Sequence, residues 1–119
     1  MIVAGIGLRK DATVESLRSA MALAGADGAT AIATPDDKAD HPALVALAAE
    51  LKLSIVRVSH DDLVAQDTQT QSKLVAQKRG TGSVAEAAAL AAAGQGAMLK
   101  AARVVSDDRM ATCAIAEKA

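Results

Sequence analysis

Met1-Ile2-Val3-Ala4-Gly5-Ile6-Gly7-Leu8-Arg9-Lys10 opens the sequence and decides how the rest is read. Ile2, Val3, Ala4 and Ile6 make a short apolar run ending in Gly5-Ile6-Gly7, the pattern of a strand buried on both faces. Arg9, Lys10 and Asp11 break it. Val14, Leu17, Ala20, Met21 and Ala24 then recur at helical spacing as far as Gly25, a C-cap, with Asp11 or Thr13 as the N-cap. A buried strand, a tight turn and a helix make the first part of a crossover unit.

The unit repeats. Ala29 to Ala33 reads as a second strand and Thr34 to Asp40 as a polar loop. Pro42 then stands in the first turn of a helix capped by Asp40 or His41, with Leu44, Leu47, Ala48 and Leu51 as its apolar stripe. Ser54 to Val58 is a third strand, and Ser59 caps a short helix around Leu63 and Val64. Gln66 to Gln71 is polar, and Ser72 starts one or two helical turns around Leu74 and Val75. Gly80-Thr81-Gly82-Ser83 leads into a helix over Val84 to Ala93, with a Ser83/Glu86 capping box and Gly94 at its end. Nearly all its residues are Ala, so other elements can approach its backbone, and it is expected to lie centrally on the sheet. Ala97 to Val105 and Arg109 to Ala116 read as two strands joined by a hairpin turn at Ser106-Asp107-Asp108. The expected fold is one α/β domain over residues 1–119, a three-layer α/β/α sandwich with a mixed, mostly parallel sheet and a C-terminal β-hairpin.

Composition narrows the function. The 119 residues contain no Phe, Trp or Tyr; Ala supplies 30 positions, and Val, Leu, Ile and Met together another 30. Bases find no stacking platform and a quaternary amine finds no aromatic cage. A net charge of -1 lacks the basic excess that a nucleic-acid partner demands. No apolar stretch reaches the roughly 18 residues that span a bilayer, and no basic segment precedes the first apolar run as in a signal peptide. Cys113 is the only cysteine and sits among Ala, Thr and Ile, so a buried, inert thiol in a cytoplasmic protein is expected. With only His41 and His60 and no repeated carboxylate spacing, neither a metal site nor a resident cofactor is expected.

In parallel sheets, ligands sit beyond the carboxyl ends of strands, where loops enter helices. Three loops qualify. Gly5-Ile6-Gly7 with Arg9 and Lys10 suits an anion, but a third glycine at the dinucleotide offset is missing. Lys38 can meet a ligand carboxylate, whereas Asp40 reads first as a helix cap, since Asp commonly precedes a helix that starts with Pro, and second as a ligand-binding candidate. Gly80, Thr81, Gly82 and Ser83 offer backbone N–H groups and hydroxyls at a helix start, without the lysine of a phosphate-binding P-loop. Thr70 and Ser72, together with Arg103 in the late strand, complete the ligand-binding candidates. Asp40 and Glu86 are the acid/base candidates, and no G-x-S-x-G nucleophile elbow is present.

Gly5-Ile6-Gly7 followed by Arg9, Lys38-Ala39-Asp40 followed by Pro42, Leu44 and Leu47-Ala48, the block from Gly80 to Ala88, and Thr112 to Ala116 occur in this order along nearly the whole chain. Together they resemble the family of CobE and the C-terminal domain of CbiG. The resemblance implies an α/β/α fold and a role in making the corrin ring of cobalamin. It further implies a carboxylate-rich partner, a precorrin or hydrogenobyrinic acid, bound by an accessory or carrier protein that also meets other pathway enzymes. The alternative is a precorrin-processing enzyme that hydrolyses or rearranges a lactone, as the longer CbiG does. Leu8 stands where relatives often carry Cys, and His41 where they often carry an acid. Both departures count against carrying over thiol or acid/base chemistry.

Overall fold

The computed structural model describes residues 1–65 and 84–118. Within them the chain forms β1 (Ile2–Leu8), α1 (Val14–Ala24), β2 (Ala31–Pro35), α2 (Pro42–Leu51), β3 (Ser54–Val58), α3 (His60–Val64), α4 (Val84–Ala93), β4 (Met98–Val105) and β5 (Ala111–Glu117). The strands form a five-stranded sheet in the order β3-β2-β1-β5-β4. β1, β2 and β3 pair in parallel, while β5 runs antiparallel to both β1 and β4. Four strands therefore point one way and β5 alone opposes them. The expected mixed, mostly parallel sheet and C-terminal hairpin are present, with β5 placed inside the sheet and β4 at its edge.

Both faces of the sheet are covered. Ala4, Ile6, Ile32, Cys113 and Ile115 pack against Leu17 and Met21 of α1 and Leu44 and Leu47 of α2. Val3, Ala33, Val58 and Ala116 face the other way, against Leu63 of α3 and Ala87, Ala88, Ala89 and Leu90 of α4. Val3 and Ala4 are neighbours in sequence and belong to opposite layers, as the alternation of a pleated strand requires. Among the described residues, no helix is long and apolar enough to cross a membrane.

The alanine-rich layer is thin for a specific reason. α4 lies so close to β1 that a Cβ added to Gly5 would stand 2.7 Å from the backbone N and 2.8 Å from the Cβ of Ala89. Gly5, a ligand-binding candidate of the sequence, is thus a packing position under α4. Any side chain there would push a helix off the central strand, and overpacking of this kind costs about 1–3 kcal/mol.

The helix ends follow short-range chemistry. Thr13, not Asp11, caps α1: its Oγ1 accepts from the Ser16 N–H at 3.2 Å, and the Thr13 N–H donates to Ser16 Oγ at 3.1 Å. Gly25 closes that helix at φ 75°, where the absence of a Cβ removes the left-handed penalty. His41, not Asp40, caps α2, accepting from the Ala43 N–H through Nδ1 at 3.1 Å. Its Nε2 donates to the Lys10 carbonyl at 2.8 Å, so one imidazole ties the loop after β1 to the start of α2. The expected strand start at Arg109 is also corrected. Arg109 belongs to the turn at φ 61°, and β5 begins at Ala111.

Candidate functional site

A cavity of about 340 Å³ opens at the carboxyl ends of β1 and β4, where β5 begins. Gly7, Leu8 and Arg9 line it from β1 and the residue after it, Val84 from the start of α4, Arg103 and Val105 from β4, and Arg109 to Thr112 from the turn and β5. Its walls are aliphatic and its cations are three arginines.

Each arginine is delivered by a different device. The Arg9 N–H donates to the Met110 carbonyl at 2.8 Å, which holds the end of β1 beside the turn. Arg103 sits where the β4–β5 ladder shifts register between Ala101 and Val104, and its N–H donates to the Glu86 carboxylate at 2.8 Å. Glu86 is fully buried in α4, so its carboxylate helps anchor an irregular edge strand to the helix layer. That contact gives Glu86, an acid/base candidate of the sequence, a structural role. Arg109 is carried by the turn between β4 and β5. In that turn Asp108 Oδ1 accepts from Ser106 Oγ at 2.6 Å and from the Met110 N–H at 3.0 Å, and Asp108 Oδ2 accepts from Ser16 Oγ of α1 at 2.5 Å. These donors, Ser106 first, then Ser16 and the Met110 N–H, favour the ionised form and hold the Asp108 carboxyl below the usual carboxylate range.

Among the described residues, none of the guanidinium groups of Arg9, Arg103 and Arg109 has a hydrogen-bond or ion-pair partner. The other two described arginines behave differently. Arg18 pairs with Glu15 at 2.6 Å and with Glu50. Arg57 pairs with Asp36 at 2.9 Å and with Asp40, and these hydrogen bonds, Asp36 first, raise its pKa further above the usual value. Cys113 lies inside β5, where burial pushes its thiol up to about 12 and leaves it un-ionised at neutral pH.

Planar guanidinium groups left without carboxylates of their own are suited to bidentate capture of carboxylates from outside. Of the sequence candidates, Gly7, Arg9 and Arg103 meet at this cavity. Lys38 and Asp40 do not: they lie in and just after the 3-10 turn that follows β2, where Asp40 is held by Arg57. A separate cavity of about 410 Å³ opens on that side, lined by Pro35, Asp36, Asp37, Val58, Ser59, His60 and Leu63. The first two loops therefore serve different cavities. Thr70, Ser72, Gly80, Thr81, Gly82 and Ser83 lie outside the described residues. Arg109 and Thr112 line the cavity without being among the sequence candidates. The turn signal at Ser106-Asp107-Asp108 is local, and it extends through Arg109, which the sequence pattern places in a strand.

A family model described as "Cobalamin synthesis G C-terminus" matches residues 2–116. The chain belongs to that family. As a member of the CobE/CbiG C-terminal family it is a cobalamin-biosynthesis protein, as its similar structures also indicate. CobE, a protein from the cobalamin (vitamin B12) biosynthetic pathway, is 32% identical with a TM-score of 0.86, covering 100% of this chain and 91% of CobE. The cobalamin biosynthesis protein chiG from Agrobacterium tumefaciens is 40% identical with a TM-score of 0.76, covering 100% of this chain and 99% of that protein. A cobalamin biosynthesis protein G homolog from Sulfolobus solfataricus shares the fold at 20% identity and a TM-score of 0.69, covering 97% of this chain and 36% of its own. Among curated protein sequences none matched.

Proposed function

We propose that this family member binds a carboxylate-rich corrin-pathway intermediate, a precorrin or hydrogenobyrinic acid, at the cavity of Arg9, Arg103 and Arg109. The observation that carries the reading is the set of three guanidinium groups that line one cavity without a partner among the described residues. Acetate and propionate groups at the rim of a corrin supply the carboxylates. The aliphatic walls formed by Leu8, Val84 and Val105 suit the apolar edge of the ring. The role is that of a cytoplasmic accessory or carrier protein, which hands the intermediate to other enzymes of the pathway. A processing enzyme is the weaker reading, because Asp40 and Glu86 are committed to Arg57 and to the Arg103 backbone.

The test is a titration of hydrogenobyrinic acid followed by its visible absorption. The expected result is binding by the wild type that weakens about fivefold for each of Arg9→Ala and Arg103→Ala, the scale of a partly exposed charge-assisted contact. Wild-type protein that leaves the spectrum unchanged well above micromolar concentration overturns the proposal.

A further inference from the structure

Arg109 adopts φ 61°, a region that glycine or asparagine ordinarily fills and that disfavours a side chain with a Cβ. The surroundings hold it there. The Arg109 N–H donates to the Ser106 carbonyl at 2.9 Å, and the Ser106 N–H donates to the Ala111 carbonyl at 2.8 Å, so the turn is closed on both sides of it. Ser106, only 2% exposed, accepts from the Ala111 N–H at 3.1 Å and donates its hydroxyl hydrogen bond to Asp108 Oδ1. Asp108 in turn reaches across to Ser16, whose hydroxyl also accepts from the Thr13 N–H in the capping box of α1. The Asp107 N–H donates to Ser19 Oγ at 3.2 Å, a second tie to the same helix. A carboxylate with three donors on its two oxygens thus links the first turn of α1 to the residue that lines the cavity.

Resting on the corrin-binding reading above, we infer that Asp108 is the positioning residue for Arg109, fixing the left-handed turn that presents its guanidinium to the cavity. Asp108 itself does not line the cavity. Its charge and its geometry act in opposite directions. As a negative charge beside an anion site, Asp108 repels the ligand, so removing it by charge alone would strengthen binding. As the clamp of the turn, it places a cation, so removing it weakens binding. The sign of the effect separates the two.

The experiment compares wild type, Asp108→Ala, Arg109→Ala and the double variant in two readouts. The first needs no ligand: the backbone chemical shifts of residue 109 and the heteronuclear NOE of its side-chain Nε–Hε, with Arg57 as the internal control. In Asp108→Ala the left-handed shift signature is expected to disappear and the Arg109 NOE to fall, with Arg57 unmoved. The second is hydrogenobyrinic acid affinity, expected to fall about fivefold in each single variant and no further in the double, because the loss of the turn clamp acts through Arg109. Asp108→Asn retains an acceptor for Ser106 and Met110 and is expected to bind more tightly than Asp108→Ala. Unchanged residue-109 signals in Asp108→Ala, equal or tighter binding by it, or additive losses in the double variant overturn the inference. Wild-type protein that binds nothing overturns the corrin reading instead, and the ligand-free readout still decides whether Asp108 holds Arg109.

Discussion

Arg57 and Arg103 sit on the two edge strands of one sheet, β3 and β4, and their fates differ. The Arg57 guanidinium is held by Asp36 and Asp40, while that of Arg103 has no partner among the described residues and its backbone N–H goes to a buried glutamate. On the β3 side, charge is neutralised within the protein and ties the loop after β2 to the edge strand. On the β4 side, the protein secures the backbone and leaves the cations without acids among the described residues. The difference teaches that a basic residue near a strand end indicates a site only when the fold supplies it with no acid.

The most severe way to break this contrast is to remove all three cavity arginines. Arg9→Ala/Arg103→Ala/Arg109→Ala is expected to weaken hydrogenobyrinic acid binding by at least 100-fold, about 3 kcal/mol if each contact contributes about 1 kcal/mol. Calorimetric titration measures this, and circular dichroism should show an unchanged fold. Glu86→Ala comes next. It strips the Arg103 N–H of its acceptor inside the protein, costing about 2 kcal/mol in urea denaturation. Glu86→Gln, which keeps an acceptor, should recover most of that loss.

The paired side gives smaller, purely structural effects. His41→Ala removes the cap of α2 and the tie to Lys10, for a loss of about 1 kcal/mol and no change in ligand affinity. A ligand effect would show that the two sides of the sheet are not independent. The smallest effect is the acid response of Asp108. Its folded pKa is depressed, so its stabilisation is complete above the ordinary carboxylate value near about 4 and is lost as pH falls through the lower folded value. The melting-temperature gap between wild type and Asp108→Asn should therefore be constant at neutral pH and close below about pH 4.

The first two strand–helix units were legible because each signal is local. The continuous run at Ile2 to Ile6, the stripe at Leu44 and Leu47, and the stop at Gly25 each depend on residues within a few turns. The identity of a cap was less legible. Asp40 and His41 are adjacent and both qualify, and the choice was made by Arg57, 17 residues away, which took the aspartate. The rank of Gly5 was likewise invisible, since its lack of a side chain matters only because Ala85 and Ala89 arrive from far along the chain.

By itself, then, the sequence determined the alternating pattern, the mixed sheet, the family and the absence of aromatic grip on any flat ligand. It also contained the cue that β5 is internal: Ala111-Thr112-Cys113-Ala114-Ile115-Ala116 carries no charge, while β4 carries Lys100 and Arg103. Only the tertiary structure decided which cations share a cavity. Arg9, Arg103 and Arg109 are brought together by antiparallel pairing of β5 with both β1 and β4. Lys38, closer to Arg9 in sequence, is carried to another part of the sheet by a parallel crossover. Periodicity reports what each segment buries, but pairing order sets which loops meet, and that order depends on contacts made across nearly the full length of the chain.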